Sequence, residues 1–218
     1  MIQTISTSPI IDFFLSYPAT KHIKGDVILD YNAYSPKIFY IAKGHVRAYQ
    51  ISPSGREKIY VFYQQNDLFP IVWTFNDINK QLSYEAMDSV IAHGVPREAF
   101  LDFIKDKPDI LFDIIHRIVD RHSFYVDRVD NLCHPNGRKR VIKLLITLAK
   151  RFGREEKGSI LIQLPLTHTD VASSIAMTRE TASRELRALQ KKGIICKFND
   201  FILIGSVQEL EDELHRKV

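Results

Sequence analysis

The chain has 218 residues, of which 45% are apolar and 26% are charged, a composition that is typical of a folded globular protein with room for two modest domains. No apolar run approaches the roughly 18 residues that a membrane helix needs, and no basic segment precedes an apolar stretch at the amino terminus. We therefore expect a cytoplasmic protein with no membrane partner. Two cysteines, Cys133 and Cys196, argue against a disulfide framework and exclude a cluster held by four cysteines of one chain.

Charge is distributed unevenly along the chain. Residues 1–134 carry a net charge of −2, whereas residues 135–218 carry +6. This asymmetry is typical of a polyanion-binding domain joined to a domain with another role. Random variation of surface charge also produces such asymmetry, so the charge pattern alone does not establish that the basic half binds a polyanion.

The first domain, residues 1–107, is predicted to be an antiparallel β-sandwich or roll. Turn residues at 43–44 and 52–55 separate short runs of β-branched and aromatic residues. Helical segments near residues 10–17 and 97–105 flank the roll. The predicted strands are residues 27–29, 38–42, 45–51 and 58–63.

Four aromatic residues make one part of the roll unusually aromatic: Phe69, Trp73, Phe75 and Tyr84. They either line a pocket for an apolar or planar effector or form an ordinary core.

Two histidines of the roll, His45 and His93, lack the spacing of a metal site, which favours solvated or hydrogen-bonded histidines. A metal-dependent enzyme domain would need His and Glu clustered on adjoining strands, and the sequence has no such cluster. We therefore predict neither a metal site nor enzymatic activity.

Residues 108–134 are predicted to be a dimerisation helix. The segment from Pro108 to Leu132 contains no further Pro and no Gly, and seam residues recur in steps of four and three. Such a seam needs a partner helix, which an identical chain supplies most simply; the alternative is that it packs on its own roll. Residues 112, 114, 119 and 126 add apolar surface beside the seam, which can pack on the roll while the seam itself pairs. The predicted seam is Leu111, Ile115, Ile118, His122, Tyr125, Val129 and Leu132.

Pro135 and Gly137 mark the boundary of the third domain, residues 135–218. An amphipathic helix is predicted over residues 138–152 and a small strand over 159–164. Thr167 then caps a helix, with Asp170 as its capping-box partner, and Thr178 caps a second helix after a tight turn. Gly193 can adopt the left-handed conformation that ends helices.

The two faces of the second helix differ. Ala182, Leu186 and Leu189 are predicted to face inward, and polar side chains face outward. Arginine and glutamate on such a face can read guanine and cytosine, and serine can pair with either kind of base edge. An ordinary solvated helix would also be charged, but the capped preceding helix and a following wing favour a DNA-reading unit. The wing is predicted from residues 194–196 and 201–204, with Asn199-Asp200 as its turn.

The order of these residues resembles the CRP/FNR family of transcription regulators. The resemblance is carried by Leu-Thr-x-x-Asp-Val-Ala from Leu166, Thr-Arg-Glu-Thr-x-Ser-Arg-x-Leu-x-x-Leu from Thr178, and Lys-Gly-Ile-Ile from Lys192. Residues 24–28 and 40–46 are similar to the opening strands of the family's cyclic-nucleotide-binding β-roll. The resemblance therefore implies an α+β chain: an antiparallel β-roll, a long dimerisation helix and a winged helix-turn-helix.

Carried over by position, the resemblance implies base readers on the second helix and phosphate contacts around it. Ala176 replaces the turn glycine common in the family; a left-handed alanine costs about 1 kcal/mol, so we expect a slightly different turn. Glu180 with Ser183 and Arg184 is closer to the fumarate and nitrate branch, which implies a TTGA-like half-site. The implied base readers are Arg179, Glu180, Ser183 and Arg184, and the implied phosphate contacts are Thr167, His168, Thr169, Thr178, Thr181 and Lys197.

The family's ligand chemistry does not carry over. In the segment corresponding to the phosphate-binding cassette, Pro70 lacks an amide proton, the glycine is missing, and no arginine occurs between Arg56 and Arg97, which argues against cyclic AMP. The two cysteines argue against an iron-sulfur cluster. We therefore expect no cofactor.

Two classes of function fit these residues. The first is a homodimeric regulator that binds a palindromic site in double-stranded DNA, with RNA polymerase as a further partner that the resemblance implies. The second is a ligand-independent DNA-binding or architectural module whose roll is structural or contacts another protein.

Overall fold

The computed structural model describes residues 8–30, 37–76, 82–198 and 200–216. Contacts divide the chain into two compact units. The first contains the described residues up to Gln50 together with Tyr60–Asp120, and the second contains Ile51–Ile59 and the residues from Arg121 onward. Within the described ranges, no helix is both long and apolar enough to cross a membrane.

The amino-terminal half is an antiparallel β-roll with helices beside it. The elements are α1 (Pro9–Leu15), β1 (Ala19–His22), β2 (Val27–Leu29), β3 (Lys37–Lys43), β4 (Val46–Ile51), β5 (Glu57–Tyr63), β6 (Leu68–Phe69), α2 (Ile71–Phe75), β7 (Ser83–Ala86), β8 (Val90–Pro96) and α3 (Arg97–Ile104). Two four-stranded sheets have the strand orders β1-β8-β3-β6 and β2-β7-β4-β5, and the registered pairs are antiparallel. The predicted roll is confirmed, although β1, β6, β7, β8 and the short helix α2 were not individually predicted.

Strand β3 is buried on both faces because it lies between two packed layers. Successive side chains of a strand point to opposite sides. On one face, Ile38 and Tyr40 belong to a cluster with residues of α1, of α3 and of the long helix that follows α3. On the other face, Phe39 stacks on Phe69 with ring centroids 5.3 Å apart. The near-continuous apolar sequence of β3 is the consequence of covering both faces.

Helix α4 (Pro108–Cys133) runs without interruption for 26 residues, as predicted. In its first half, Ile110 and Ile114 are buried in the cluster of the roll, and Leu111 and Ile118 pack against the same cluster. For Leu111 and Ile118 this packing favours the alternative, in which the helix packs on its own roll, although both side chains remain partly exposed.

The exposed apolar face of α4 shares every second residue with the predicted seam. At the other steps, the exposed residue is the one that follows the predicted seam residue in the sequence. Phe112 and Val119 are 63% and 55% exposed, and Val126 is 54% exposed, so these three side chains are not buried on the roll. Ile115, His122 and Val129 of the predicted seam are exposed. Tyr125 is half-buried, whereas Leu132 is exposed. We define the α4 stripe as Phe112, Ile115, Val119, His122, Val126 and Val129.

The second half of α4 packs within the second unit through a different face. Phe124 and Asn131 are buried. The amide of Asn131 donates to the Arg140 carbonyl at 3.0 Å, and the Arg151 guanidinium lies 5.6 Å from the centre of the Phe124 ring. These contacts leave Val126 and Val129 on the outward side of the helix.

The second unit is built around helix α5, whose apolar face is almost completely buried. A small sheet with the order β11-β12-β10-β9 and three further helices surround it, which confirms the predicted winged helix-turn-helix. The elements are α5 (Gly137–Phe152), β9 (Gly153–Glu156), β10 (Ser159–Ile162), α6 (His168–Ser174), α7 (Arg179–Lys191), β11 (Ile195–Phe198), β12 (Phe201–Ile204) and α8 (Val207–His215).

Two elements of this unit were not predicted. The four residues of strand β9 are all exposed, and their sequence shows no alternation of apolar and polar side chains that would predict a strand. The segment is a strand because it pairs with β10. Helix α8 is capped by Ser206 and buries Leu210 and Glu213. Its amphipathic pattern extends over only nine residues, which is too short to predict a helix from the sequence alone. The helix is stabilised by packing against α5.

Candidate nucleic-acid interface

Helix α6 begins with the capping box that the sequence predicts. The Thr167 hydroxyl accepts a hydrogen bond from the Asp170 amide at 3.1 Å, and the Asp170 carboxylate accepts one from the Thr167 amide at 2.8 Å. The Thr167 hydroxyl also donates to this carboxylate at 2.6 Å. Reciprocal capping satisfies two amides that the helix cannot pair internally, so the orientation of α6 is fixed at its first turn.

The turn between α6 and α7 passes through Ala176, which has a φ of +52°. The chain therefore adopts the left-handed conformation here despite the steric cost to alanine. The Met177 amide donates to the Ala172 carbonyl at 3.0 Å, and the Arg140 guanidinium donates to the Ile175 carbonyl at 2.9 Å. These bonds hold a conformation that the alanine itself disfavours.

Helix α7 is the predicted second helix, with the predicted cap and end. The Thr178 hydroxyl accepts from the Thr181 amide at 3.3 Å, and Gly193 follows the helix with a φ of +73°. The inward face is confirmed: Ala182, Leu186 and Leu189 are buried. Burying two leucines contributes on the order of 3–6 kcal/mol, which anchors α7 and leaves its other face to solvent.

That outward face carries most of the implied base readers. Arg179, Glu180 and Arg184 are exposed, and Ser183 is half-buried. Arg184 lies 3.2 Å from the carboxylate of Glu185, a weak exposed pair that a better partner can replace. The face thus presents guanidinium, carboxylate and hydroxyl groups, which suit guanine and cytosine edges in a major groove.

The implied phosphate contacts surround this face, but some already have partners. The hydroxyls of Thr167 and Thr178 serve as helix caps, and the hydroxyls of Thr178 and Thr181 lie 2.9 Å apart. Thr169 is exposed on α6. His168 is half-buried, and its Nδ1 lies 2.8 Å from the Ser183 hydroxyl. The two residues were assigned separate roles, and the structure brings them together.

The wing is a two-stranded hairpin of β11 and β12. Phe198 pairs with Phe201 at its tip, so β11 extends two residues beyond the predicted strand. Lys197 and Phe198 are exposed. Of the predicted turn residues, Asn199 lies outside the described residues.

One part of the surface was missed by sequence reasoning. An open groove of about 560 Å³ lies between the first turn of α5 and the helix-turn-helix, and Arg138, Arg140, Thr178, Thr181 and Arg184 line it. The run Arg138-Lys139-Arg140 was the available signal, but only the packing of α5 against α7 brings it beside the second helix. The groove, which Glu185 also lines, brings charged groups of α5 beside the face that carries the base readers.

A buried carboxylate ties α8 to the ends of α5 and α7. Glu213 is 6% exposed and accepts hydrogen bonds from Arg138, from Lys192 at 2.9 Å and from Arg216 at 3.2 Å. Burial alone would raise the pKa of the Glu213 carboxyl, but the Lys192 hydrogen bond and the three positive charges hold that pKa below its ordinary value. Glu213 therefore remains ionised and fixes the carboxy-terminal end of α7.

In the roll, the aromatic residues proposed for an effector pocket pack largely on one another. Phe69 and Tyr84 are buried with stacked rings 5.0 Å apart, and Trp73 contacts Tyr84 edge-on at 6.3 Å. Phe75 is 45% exposed. This packing favours the core alternative for Phe69 and Tyr84 and gives the pocket prediction no support.

The two histidines of the roll are hydrogen-bonded. His45 Nδ1 lies 2.7 Å from the Asp88 carboxylate, and His93 Nδ1 lies 2.7 Å from the Tyr17 carbonyl. In the part of the chain that the structure describes, no group of three His, Cys, Asp or Glu side chains is placed to hold a metal ion.

Comparisons with known proteins agree with this architecture. The family model for a Crp-like helix-turn-helix domain matches residues 139–213, and the model for a cyclic nucleotide-binding domain matches residues 21–107. A CRP-like cAMP-activated global transcriptional regulator from Mycobacterium tuberculosis is 25% identical over 80% of this chain and 78% of its own length. A global nitrogen regulator from a Nostoc species is 24% identical over 73% of this chain and 72% of its own.

The same fold is found among solved structures. A CooA mutant from Carboxydothermus hydrogenoformans superposes with a TM-score of 0.76 at 18% identity, covering 93% of this chain and 90% of that one. The two family models together cover most of the chain, in the order that the roll and the winged helix-turn-helix have here. The chain therefore belongs to the CRP/FNR family and is a transcription regulator with a helix-turn-helix DNA-binding domain.

Proposed function

We propose that this regulator acts as a homodimer that reads a palindromic, TTGA-like DNA site. The observation that carries the proposal is the outward face of α7, where Arg179, Glu180, Ser183 and Arg184 lie together on one side of a helix whose other side is buried. Two such helices in a symmetric dimer reach successive major grooves, about 34 Å apart. Thr169 and Lys197 beside them contact the phosphates.

The α4 stripe supports the dimer. Its six residues recur in steps of three and four, which is the spacing of a coiled-coil seam, and five of them are apolar side chains that are more than half exposed. A second copy of α4 would remove this apolar surface from water, and an identical partner gives the twofold symmetry that a palindromic site requires.

We propose further that DNA binding does not depend on cyclic AMP. Pro70 precedes the short helix α2 where a phosphate-binding segment would need free amides, and Phe69 and Tyr84 pack within the roll. With Cys133 and Cys196 alone, this chain cannot supply the ligands of a four-cysteine iron-sulfur cluster. The protein would act in the cytoplasm, where its DNA lies, with RNA polymerase as a partner.

Selection of bound sites from random duplex DNA tests the main proposal. The purified protein should enrich a twofold-symmetric sequence with TTGA-like half-sites, and the complex should contain two chains by analytical ultracentrifugation. Addition of cyclic AMP should leave the affinity for the selected site unchanged. Enrichment of no sequence, or of an unpaired half-site bound by one chain, would contradict the dimeric reading.

The buried aromatic packing in the roll favours one alternative, a DNA-binding or architectural module whose roll is purely structural. Such a module would bind random duplex nearly as tightly as any selected site at the same salt concentration, whereas a specific regulator prefers its site by about 10³-fold or more. The ratio of the two affinities decides between them.

A further inference from the structure

The imidazole of His168 and the hydroxyl of Ser183 form a hydrogen bond between the two helices of the helix-turn-helix, with Nδ1 and Oγ 2.8 Å apart. We propose that His168 is a positioning residue for base recognition: it fixes the Ser183 hydroxyl and thereby sets the hydrogen-bonding group that this serine presents to DNA. The proposal rests on the proposed function, because it assumes that Ser183 faces a base.

The surroundings of His168 restrict the imidazole. Its backbone starts α6 directly after the capping residue Thr167, so its position is fixed by the capping box. The side chain lines a narrow crevice together with Leu166, Val171 and Leu186, all three of which are buried. A half-buried ring held in this way can orient a neighbouring hydroxyl, which a freely rotating surface side chain cannot.

The hydrogen bond has a direct consequence for base recognition. A serine hydroxyl has one proton and two lone pairs. If the Nδ1 lone pair accepts the proton of Ser183, the serine offers only lone pairs to the groove and selects the amino groups of adenine or cytosine. If Nδ1 carries a proton and donates it, the serine hydroxyl is free to donate to guanine or to thymine O4. Loss of His168 releases the hydroxyl and removes this selection.

Burial and the positive charges around the imidazole favour its neutral form. Burial, and then the positive charges of Lys197 on β11 and of Arg187 and Arg179 on α7, lower the pKa of His168 below its ordinary value. At neutral pH the ring therefore adds no charge for a phosphate. A neutral imidazole with one nitrogen turned to Ser183 suits a positioning role better than the phosphate contact that the family resemblance implies.

A double-mutant cycle over a library of binding sites tests the inference with the full-length protein. We expect Ser183→Ala and His168→Ala each to reduce the discrimination at one and the same base pair about tenfold, and the double variant to be no worse than either single one. His168→Asn places an amide where Nδ1 lies, so it should keep the discrimination within about twofold. This variant also keeps the test decisive if His168→Ala folds poorly.

Two results would overturn the inference. If His168→Ala weakens binding to all sequences equally and lowers the salt dependence by about one counterion, His168 is a phosphate contact. If the two single effects simply add, the hydrogen bond has no role in recognition. Absence of any site preference in the wild-type protein is a separate result, which refutes the proposed function and this inference with it, whereas loss of coupling in a site-specific protein refutes this inference alone.

Discussion

Replacement of Ala176 by glycine should stabilise the second unit by up to about 1.6 kcal/mol, with about 0.8 kcal/mol as the central value. Ala176 has a φ of +52°, and an L-residue with a Cβ pays roughly 1–2 kcal/mol for the left-handed conformation. Glycine avoids this penalty, but its greater conformational entropy in the unfolded chain destabilises the folded state by about 0.4–1 kcal/mol. The methyl group is exposed, so its removal costs little burial, and the net change favours the folded state.

Urea unfolding followed by circular dichroism measures the change, and hydrogen exchange of α6 and α7 amides assigns it to this unit. Ala188→Gly is the matched control, because Ala188 lies within helix α7, where glycine costs about 1 kcal/mol relative to alanine. The two substitutions should therefore have opposite signs. If Ala176→Gly destabilises the protein as much as Ala188→Gly does, Ala176 does not occupy a left-handed position in solution, and the account of the turn is refuted.

Three further outcomes are expected. Glu213→Gln should lower the free energy of unfolding by about 2 kcal/mol at pH 7, because three cations lose their carboxylate partner. Folding lowers the pKa of Glu213 below its ordinary 4.5, so the difference from wild type should be complete above that pH and disappear as the pH falls through the folded-state pKa. Urea unfolding at pH 3–7 will measure this difference. Val126→Asp should weaken dimerisation at least a hundredfold by ultracentrifugation, since it places two carboxylates in an apolar seam. Arg184→Ala should lose about 1–3 kcal/mol of binding and relax the choice at one base position. Lys191 is an exposed basic residue in the last turn of α7, where we expect a phosphate contact, so Lys191→Ala should weaken binding to all sequences alike.

Controls exist for each of these changes. Asp212→Asn alters an exposed carboxylate one residue from Glu213 and should change stability by less than about 0.5 kcal/mol. Asp127→Asn alters an exposed position next to Val126 and should leave the dimer intact. Equal effects of Asp212→Asn and Glu213→Gln, or of Arg184→Ala and Lys191→Ala across a site library, would contradict the roles assigned to Glu213 and Arg184.

The helix-turn-helix could be predicted closely because its signals are local. The cap of Thr167 with Asp170, the cap of Thr178 and the left-handed Gly193 each depend on residues within four positions of one another, and local hydrogen bonds act in the same way in any tertiary context. The inward face of α7 follows from helical periodicity alone.

Helix α4 illustrates the limit of periodicity. Apolar residues cover more than half of its circumference, so the seam through Leu111 and Ile118 and the stripe through Phe112 and Val119 both satisfy a heptad spacing. The sequence cannot distinguish them. The choice is made by the core of the roll, which already contacts Leu111 and Ile118.

The sequence by itself determined the succession of β domain, long helix and winged helix-turn-helix, the caps and turns of the helix-turn-helix, and the chemical character of its outward face, because these depend on neighbours in the chain. Only the tertiary structure decided which face of α4 is free, that β9 is a strand, and that His168 meets Ser183. These features join residues that are separated along the chain, and the free energy of packing and pairing that selects them is absent until the chain has folded.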